Sequence, residues 1–231
     1  RLAQANGWQV ISDTSYEGYE DVPRDVMQGY ATIAAEVIEA TEAAQQAAYT
    51  HVFLQGGVGG LAAGVVAYWW EHYGAARPKF IVVEPEQADC LWQSAVHGQA
   101  SMALGSVDSI MAGLACGATS PLAWRFLDSS VDAFMTVSDD EAITAMRQLA
   151  TGSERDIPVL AGESGVAGLA ALNQLAADKQ QMAALGLDEQ ARVLFISSEG
   201  ATAPSVYAEA AGETAEAVLA RQQQWLNAQN T

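Results

Sequence analysis

Residues 51–67 read HVFLQGGVGGLAAGVVA, and the order of residue types in them decides the fold. A short apolar run, a glycine cluster and a small-residue helical pattern follow one another without a break, the order strand, turn, helix. That order builds an anion site. Gly56, Gly57, Gly59 and Gly60 carry no Cβ, so the backbone there can take positive φ angles and approach a ligand closely. A helix starting near Leu61 aims its free N–H groups and positive dipole end at the turn, where a phosphate is the natural guest.

Three kinds of phosphate compete for the turn. A P-loop needs Lys and Ser or Thr after its last glycine, whereas Leu61 and Ala62 follow Gly60. A dinucleotide site needs G-x-G-x-x-A and an acid at the end of the next strand; Gly57, Gly59 and Ala62 supply the first and Glu84 the second. A single phosphate monoester needs only the glycines. The local pattern leaves the last two open.

Outward from the turn, helices and strands alternate. Residues 79–84, KFIVVE, form an almost purely apolar run ended by Pro85, as a strand buried on both faces requires. With the strand at 51–55 and the helix at 61–73 it makes one right-handed βαβ unit. Upstream, residues 1–7 read as the end of a helix stopped by Gly7, residues 8–12 (WQVIS) as a strand, and residues 26–48 as an amphipathic helix. The loop at 13–25 holds Asp13, Tyr16, Glu17 and Tyr19 at a strand end, where α/β proteins keep their chemistry.

Downstream, residues 88–97 and 121–128 read as helices around a long Gly/Ser/Ala-rich connection, and so long a loop in a compact domain is either functional or wrongly assigned. Residues 133–137 and 192–196 are strands, with SSEGAT after the second. Residues 138–150 carry a capping box, Ser138 with Glu141 three places on. Residues 159–165 form a loop entering a helix at 166–175, and residues 215–228 a glutamine-rich amphipathic helix. The fold class is α/β, a mainly parallel sheet with helices on both faces.

Composition narrows the partners. Half of the 231 residues are hydrophobic and no apolar run reaches the length of a membrane span, so a soluble globular protein without membrane contact is expected. Twenty-eight acids against ten bases give a formal net charge of -18, which repels nucleic acid. Cys90 and Cys116 have no second CxxC and no histidine at zinc spacing, so no metal site is expected; two free thiols in a reducing cytoplasm is their plain reading.

Seven segments in order, SDTSYEGY, MQGYATIAAE, HVFLQGGVGGLAAG, VVEPEQADC, IMAGLACG, GESGVAGL and ISSEG, span residues 12–200. Together they resemble the fold-type II pyridoxal-phosphate enzymes, the group of the tryptophan synthase β subunit. The SDTSYEGY and AGLACG segments are most similar to the diaminopropionate ammonia-lyases within it. The resemblance implies pyridoxal 5'-phosphate as cofactor, held by the backbone of Gly56, Gly57, Val58, Gly59 and Gly60. It implies a small amino-acid substrate, 2,3-diaminopropionate, eliminated to pyruvate and two ammonia, with Asp13 in acid–base chemistry or on the substrate amines. Ser197 or Ser198 would meet the pyridine nitrogen; Glu163 and Ser164 would line the ring, with Tyr16, Ala112 and Gly113 on substrate-side loops.

The resemblance further implies a homodimer and a division into the end of a small domain at 1–12 and a large cofactor-binding domain at 13–231; the free thiols fit a cytoplasmic location, and because Cys90 and Cys116 both lie near the rim of the sheet, a disulfide between them is the alternative. The family's Schiff-base lysine lies upstream of every segment seen here. Neither Lys79, at a strand start, nor Lys179, in a polar helical stretch, has its context, so a truncated enzyme lacking the catalytic lysine is expected. A nicotinamide-binding oxidoreductase and a non-catalytic binding protein on the same fold are the alternatives.

Overall fold

The computed structural model describes residues 2–229. In chain order the elements are α1 (Leu2–Asn6), α2 (Asp21–Ala43), β1 (His51–Gln55), α3 (Gly60–Tyr73), β2 (Lys79–Pro85), α4 (Cys90–His97), α5 (Pro121–Leu127), β3 (Ala133–Val137), α6 (Asp139–Thr151), α7 (Ala167–Ala176), α8 (Lys179–Leu185), β4 (Val193–Phe195), α9 (Pro204–Ala211) and α10 (Ala215–Gln229). The four strands pair in parallel in the order β3-β2-β1-β4.

Period-two alternation divides the core between the two faces of this sheet. Val52 and Leu54 of β1, with Phe80 and Val82 of β2, pack against Ala62, Val66 and Trp69 of α3 and Met27 of α2. Phe53, Ile81 and Val83 face the other way, onto Met146 of α6, Ala167 and Ala171 of α7 and Tyr207 of α9. Trp69 keeps only 2% of its surface, a burial that contributes about 2 to 3 kcal/mol. Gly64 sets the approach of α2 to α3: a Cβ there would sit 2.2 Å from the Met27 carbonyl oxygen.

The order of the strands locates the site. β1, β2 and β3 step outward on one side, and the chain then returns to the other side of β1 to lay down β4. The winding reverses between β1 and β4, and the crevice beyond the carboxyl ends of such a pair is where open α/β sheets bind ligands.

Several expectations change. Residues 8–12 form no strand: Trp8, Val10 and Ile11 are 65%, 52% and 74% exposed, and their apolar alternation meets no partner strand among the described residues. The expected helix at residues 1–7 is present as α1, closed by Gly7 at φ 66°, with residue 1 outside the described part. Helix α2 begins five residues earlier than its periodicity suggests, because Pro23 is tolerated in a first turn where N–H groups lack intrahelical partners. The run at residues 79–84 ends at Pro85 as expected, with Pro85 itself the last residue of β2, paired with Val137.

The long connection of residues 98–120 is tied down at two points in its first half. Asp89 Oδ1 accepts from the Leu104 N–H at 3.0 Å, and Asp139 accepts from the Ser109 hydroxyl at 2.6 Å. A single 3-10 turn, Ala112–Leu114, follows the second tie. The capping box of α6 is complete, Ser138 and Glu141 each bonding the other's backbone N–H. Among the described residues, no helix is long and apolar enough to cross a membrane.

Candidate functional site

The glycine turn leaves β1 at its carboxyl end and enters α3 through Gly59, whose φ of 98° is left-handed. That conformation is strained for any L side chain, and a Cβ there would also press to 3.0 Å from Leu127 Cδ1. Gly56 is needed for space: its Cβ would come within 2.8 Å of both Leu91 and Val82. Gly59 makes no side-chain cap to α3, so the free N–H groups of the helix start face outward.

They face a cavity of about 350 Å3 at the β1/β4 reversal, lined by Gly57 to Leu61, Gln55, Asp13, Tyr30, Gly113, Leu114, Cys116, Ser164, Ser198, Glu199 and Thr202. Asp13 and Glu199 are the charged side chains of this lining. Any anion in the turn is therefore held by backbone dipoles rather than by Lys or Arg, and the far walls favour a cation.

Four loops form the rim and are stitched to one another. Ser164 donates its N–H to Glu199 Oε2 at 2.6 Å, and its hydroxyl accepts from the Gly113 N–H at 3.1 Å. The Gly162 N–H reaches the Glu199 carbonyl at 2.9 Å. A Cβ on Gly57 would meet Cys116 Sγ at 3.2 Å and the Gly113 carbonyl oxygen at 3.3 Å, so a side chain there would push these loops outward by a few tenths of an ångström.

Asp13 reaches the cavity because Ser15 anchors its loop. The Ser15 hydroxyl accepts from the Leu122 N–H at 2.8 Å in the first turn of α5 and lies 2.8 Å from the Ser120 hydroxyl. Ser15 is 3% exposed, a buried polar group with its partners in place. Sequence reading missed it, although it stands inside the SDTSYEGY segment; a serine between an acid and an aromatic carries no signal without α5 beside it.

Of the other expected site residues, Gly57, Val58, Gly59, Gly60, Gly113 and Ser198 line the cavity together with Asp13, whereas Gly56, Tyr16, Ala112, Glu163 and Ser197 do not. Tyr16 stacks on Tyr19 with ring centroids 4.7 Å apart and is half exposed. Glu163 is 5% exposed, and its Oε1 has no hydrogen-bond partner among the described residues. Gln55, Tyr30, Glu199 and Thr202 also line the cavity; Gln55 directly precedes the glycines, and Glu199 directly follows the two serines.

Glu84 corrects the dinucleotide reading. It is fully buried, and its carboxyl accepts from the backbone N–H groups of Leu91 at 2.8 Å and Trp92 at 2.7 Å. It caps α4 from the strand end, in place of Asp89, which makes no side-chain cap. Facing α4 and absent from the cavity lining, it is not placed to hold a ribose. Burial pushes it up to about 8, against the pull of those two N–H donors.

Cys90 and Cys116 are separate thiols, so the disulfide considered from the sequence is not formed. The Cys90 thiol lies 3.4 Å from the Gly57 carbonyl oxygen, to which it donates, and 3.6 Å from Glu84 Oε1. Burial, and then the charge of Glu84, pushes Cys90 up to about 12; burial, and then the charge of Asp13, raises Cys116. Both therefore stay protonated at neutral pH and are weak nucleophiles.

Neither lysine lines the cavity. Lys79 pairs in register with His51 at the opposite end of β1, about 13 Å from the turn by strand rise alone. Its ammonium donates to the Leu185 carbonyl at 2.6 Å, closing the end of α8, and Lys179 is exposed at the start of that helix.

Diaminopropionate ammonia-lyase of Escherichia coli (strain K12) is 40% identical to this chain over 219 residues, covering 94% of the chain and 55% of the relative. The crystal structure of the selenomethionine-incorporated holo form of that enzyme from Escherichia coli matches with a TM-score of 0.84 and 38% identity, covering 91% of this chain and 53% of the other. Its complex with D-serine matches with a TM-score of 0.81, 38% identity and the same coverage. The chain thus spans about half the length of the curated relatives it matches. Residues 1–199 match the family described as "Pyridoxal-phosphate dependent enzyme". On that match, and with a glycine turn at a helix start facing the sheet's reversal point, the chain belongs to the pyridoxal-phosphate-dependent enzyme family.

Proposed function

We propose that these residues form the phosphate-binding and acid-bearing part of an ammonia-lyase acting on 2,3-diaminopropionate. The observation that carries the reading is the polarity of the cavity, with a helix start and free backbone N–H groups at one wall and the carboxylates of Asp13 and Glu199 at the others. The first wall suits a phosphate monoester; the others suit a substrate with two amino groups. The relatives named diaminopropionate ammonia-lyase support this substrate over a hydroxyamino acid.

The residues present fit the cofactor. The space over the turn is one that a Cβ at Gly57 would narrow, since it would meet Cys116, Gly113 and Leu114 of the cavity wall, and the start of α3 carries no side-chain cap on its N–H groups. When bound, pyridoxal phosphate supplies an electron sink for negative charge developing at the substrate α carbon. Gly57, Val58, Gly59 and Gly60 would hold its phosphate. Ser198, the member of the serine pair that lines the cavity, would meet the pyridine nitrogen, and a neutral hydroxyl there favours elimination over transamination. Asp13 would pair with the distal ammonium or take the α proton, and release of both amines with one water leaves pyruvate and two ammonia.

Neither lysine of this chain reaches the cavity, so on this reading the lysine that carries the cofactor comes from outside these 231 residues. A cytoplasmic location is supported by the free thiols Cys90 and Cys116; a homodimer is carried into the reading on family resemblance alone. The test uses the protein that joins this chain to such a lysine. Pyruvate should form from 2,3-diaminopropionate with two ammonia per pyruvate, and Asp13→Asn should slow it by about a hundredfold or more. Turnover of threonine with none of diaminopropionate would overturn the substrate assignment.

A further inference from the structure

Gln55 is the last residue of β1, 6% exposed and directly before the glycine turn. Its side-chain nitrogen Nε2 makes two contacts across the β1/β4 reversal, donating to the Ile196 carbonyl at 2.9 Å and to the Ser198 hydroxyl oxygen. A backbone carbonyl can only accept, so Ile196 fixes which end of the amide faces this way. The group meeting Ser198 is therefore a donor, and Ser198 Oγ must accept. A serine hydroxyl carries one hydrogen, and with Oγ engaged as an acceptor that hydrogen is free to turn into the cavity that Ser198 lines.

We propose that Gln55 is a positioning residue that sets the polarity of Ser198, making its hydroxyl a hydrogen-bond donor toward the cavity and so toward an unprotonated ring nitrogen of the cofactor. The inference rests on the reading of the cavity as a pyridoxal-phosphate site and adds to it the group that decides the ring's protonation state. Without the Gln55 amide, Ser198 Oγ is no longer held as an acceptor and can offer a lone pair to the ring, which favours a protonated nitrogen. The substitution Gln55→Glu goes further, since a carboxylate in place of the amide would accept the Ser198 hydrogen outright.

The experiment is 15N NMR of pyridoxal 5'-phosphate labelled at the ring nitrogen and added to the chain, with dissociation constants from titration of the same samples. In the unaltered chain the nitrogen should resonate as a neutral, hydrogen-bonded pyridine. Gln55→Glu should move it toward the protonated position, and Ser198→Ala should lose the hydrogen-bonded shift. Gln55→Met, of similar shape and uncharged, decides the matter if the glutamate variant does not fold. It should weaken cofactor binding by about fivefold to tenfold and shift the nitrogen away from the hydrogen-bonded value. A purely structural role would lower Tm or affinity and leave the protonation state alone. An unchanged 15N position in a folded, cofactor-bound Gln55 variant overturns this inference while leaving the site reading intact; no binding by the unaltered chain overturns both.

Discussion

The backbone N–H of Ser164 donates to Glu199 Oε2 at 2.6 Å and ties the loop before α7 to the loop after β4. Gly162, two residues earlier, uses the Glu199 backbone carbonyl instead, at 2.9 Å. Glu199→Ala should therefore speed amide exchange at Ser164 while leaving Gly162 protected, at a cost of about 1 to 2 kcal/mol. Hydrogen exchange resolved by residue reads both amides in one sample, and unchanged protection at Ser164 would contradict the tie.

The two packing glycines of the α3 segment should fail differently. Gly59→Ala forces a side chain into φ 98° beside Leu127 and Leu91, at a cost of about 1 to 3 kcal/mol, and it should remove phosphate binding. Gly64→Ala meets the Met27 carbonyl at 2.2 Å, so it should lower Tm by pushing α2 off α3 while the turn itself keeps its shape. Melting curves with and without added phosphate ester separate the two.

Glu84 makes the stability depend on pH. Folding raises its carboxyl from 4.5 to about 8, chiefly through burial, so the native state favours the protonated form. The resulting stabilisation is complete below about 4.5 and is lost as pH rises through about 8. Glu84→Gln should remove that falling segment from a plot of unfolding free energy against pH. Denaturant titrations of both proteins across the range give the difference curve; parallel curves would mean that Glu84 does not titrate there.

Ser15→Ala should loosen the Asp13 loop without disturbing the sheet. It deprives Leu122 of a 2.8 Å bond and Ser120 of its hydroxyl partner, at a cost of about 1 to 3 kcal/mol. Accelerated proteolysis within residues 12–20, with the β1 and β2 amides still protected, is the expected pattern.

What sequence made legible follows from how local each signal is. The strand, turn and helix at residues 51–67 and the capping box at Ser138 and Glu141 are contiguous patterns, and both stand as read. Trp8 to Ile11 alternate as a strand should, yet a strand exists only against a partner, which no window of sequence displays. Helix α9 went unread although Pro204 sits at its first position, because its apolar face is mostly alanine and gives little contrast. Glu84 stood where a ribose-binding acid belongs, and only the turn of its side chain toward Leu91 and Trp92 showed it to be a cap. Ser15, Gln55 and Glu199 act across 105, 143 and 35 residues respectively, and contacts that distant leave no spacing to recognise.

The central claim is that the turn of Gly57 to Gly60 grips the phosphate of pyridoxal phosphate through its backbone. Equilibrium titration of the chain with pyridoxal 5'-phosphate, pyridoxal and NADH tests it most directly. The account predicts binding of the phosphorylated form, competition by inorganic phosphate, at least about tenfold weaker binding of pyridoxal, and loss of the preference in Gly59→Ala. Equal affinity for pyridoxal with and without its phosphate, or binding of NADH alone, would contradict it.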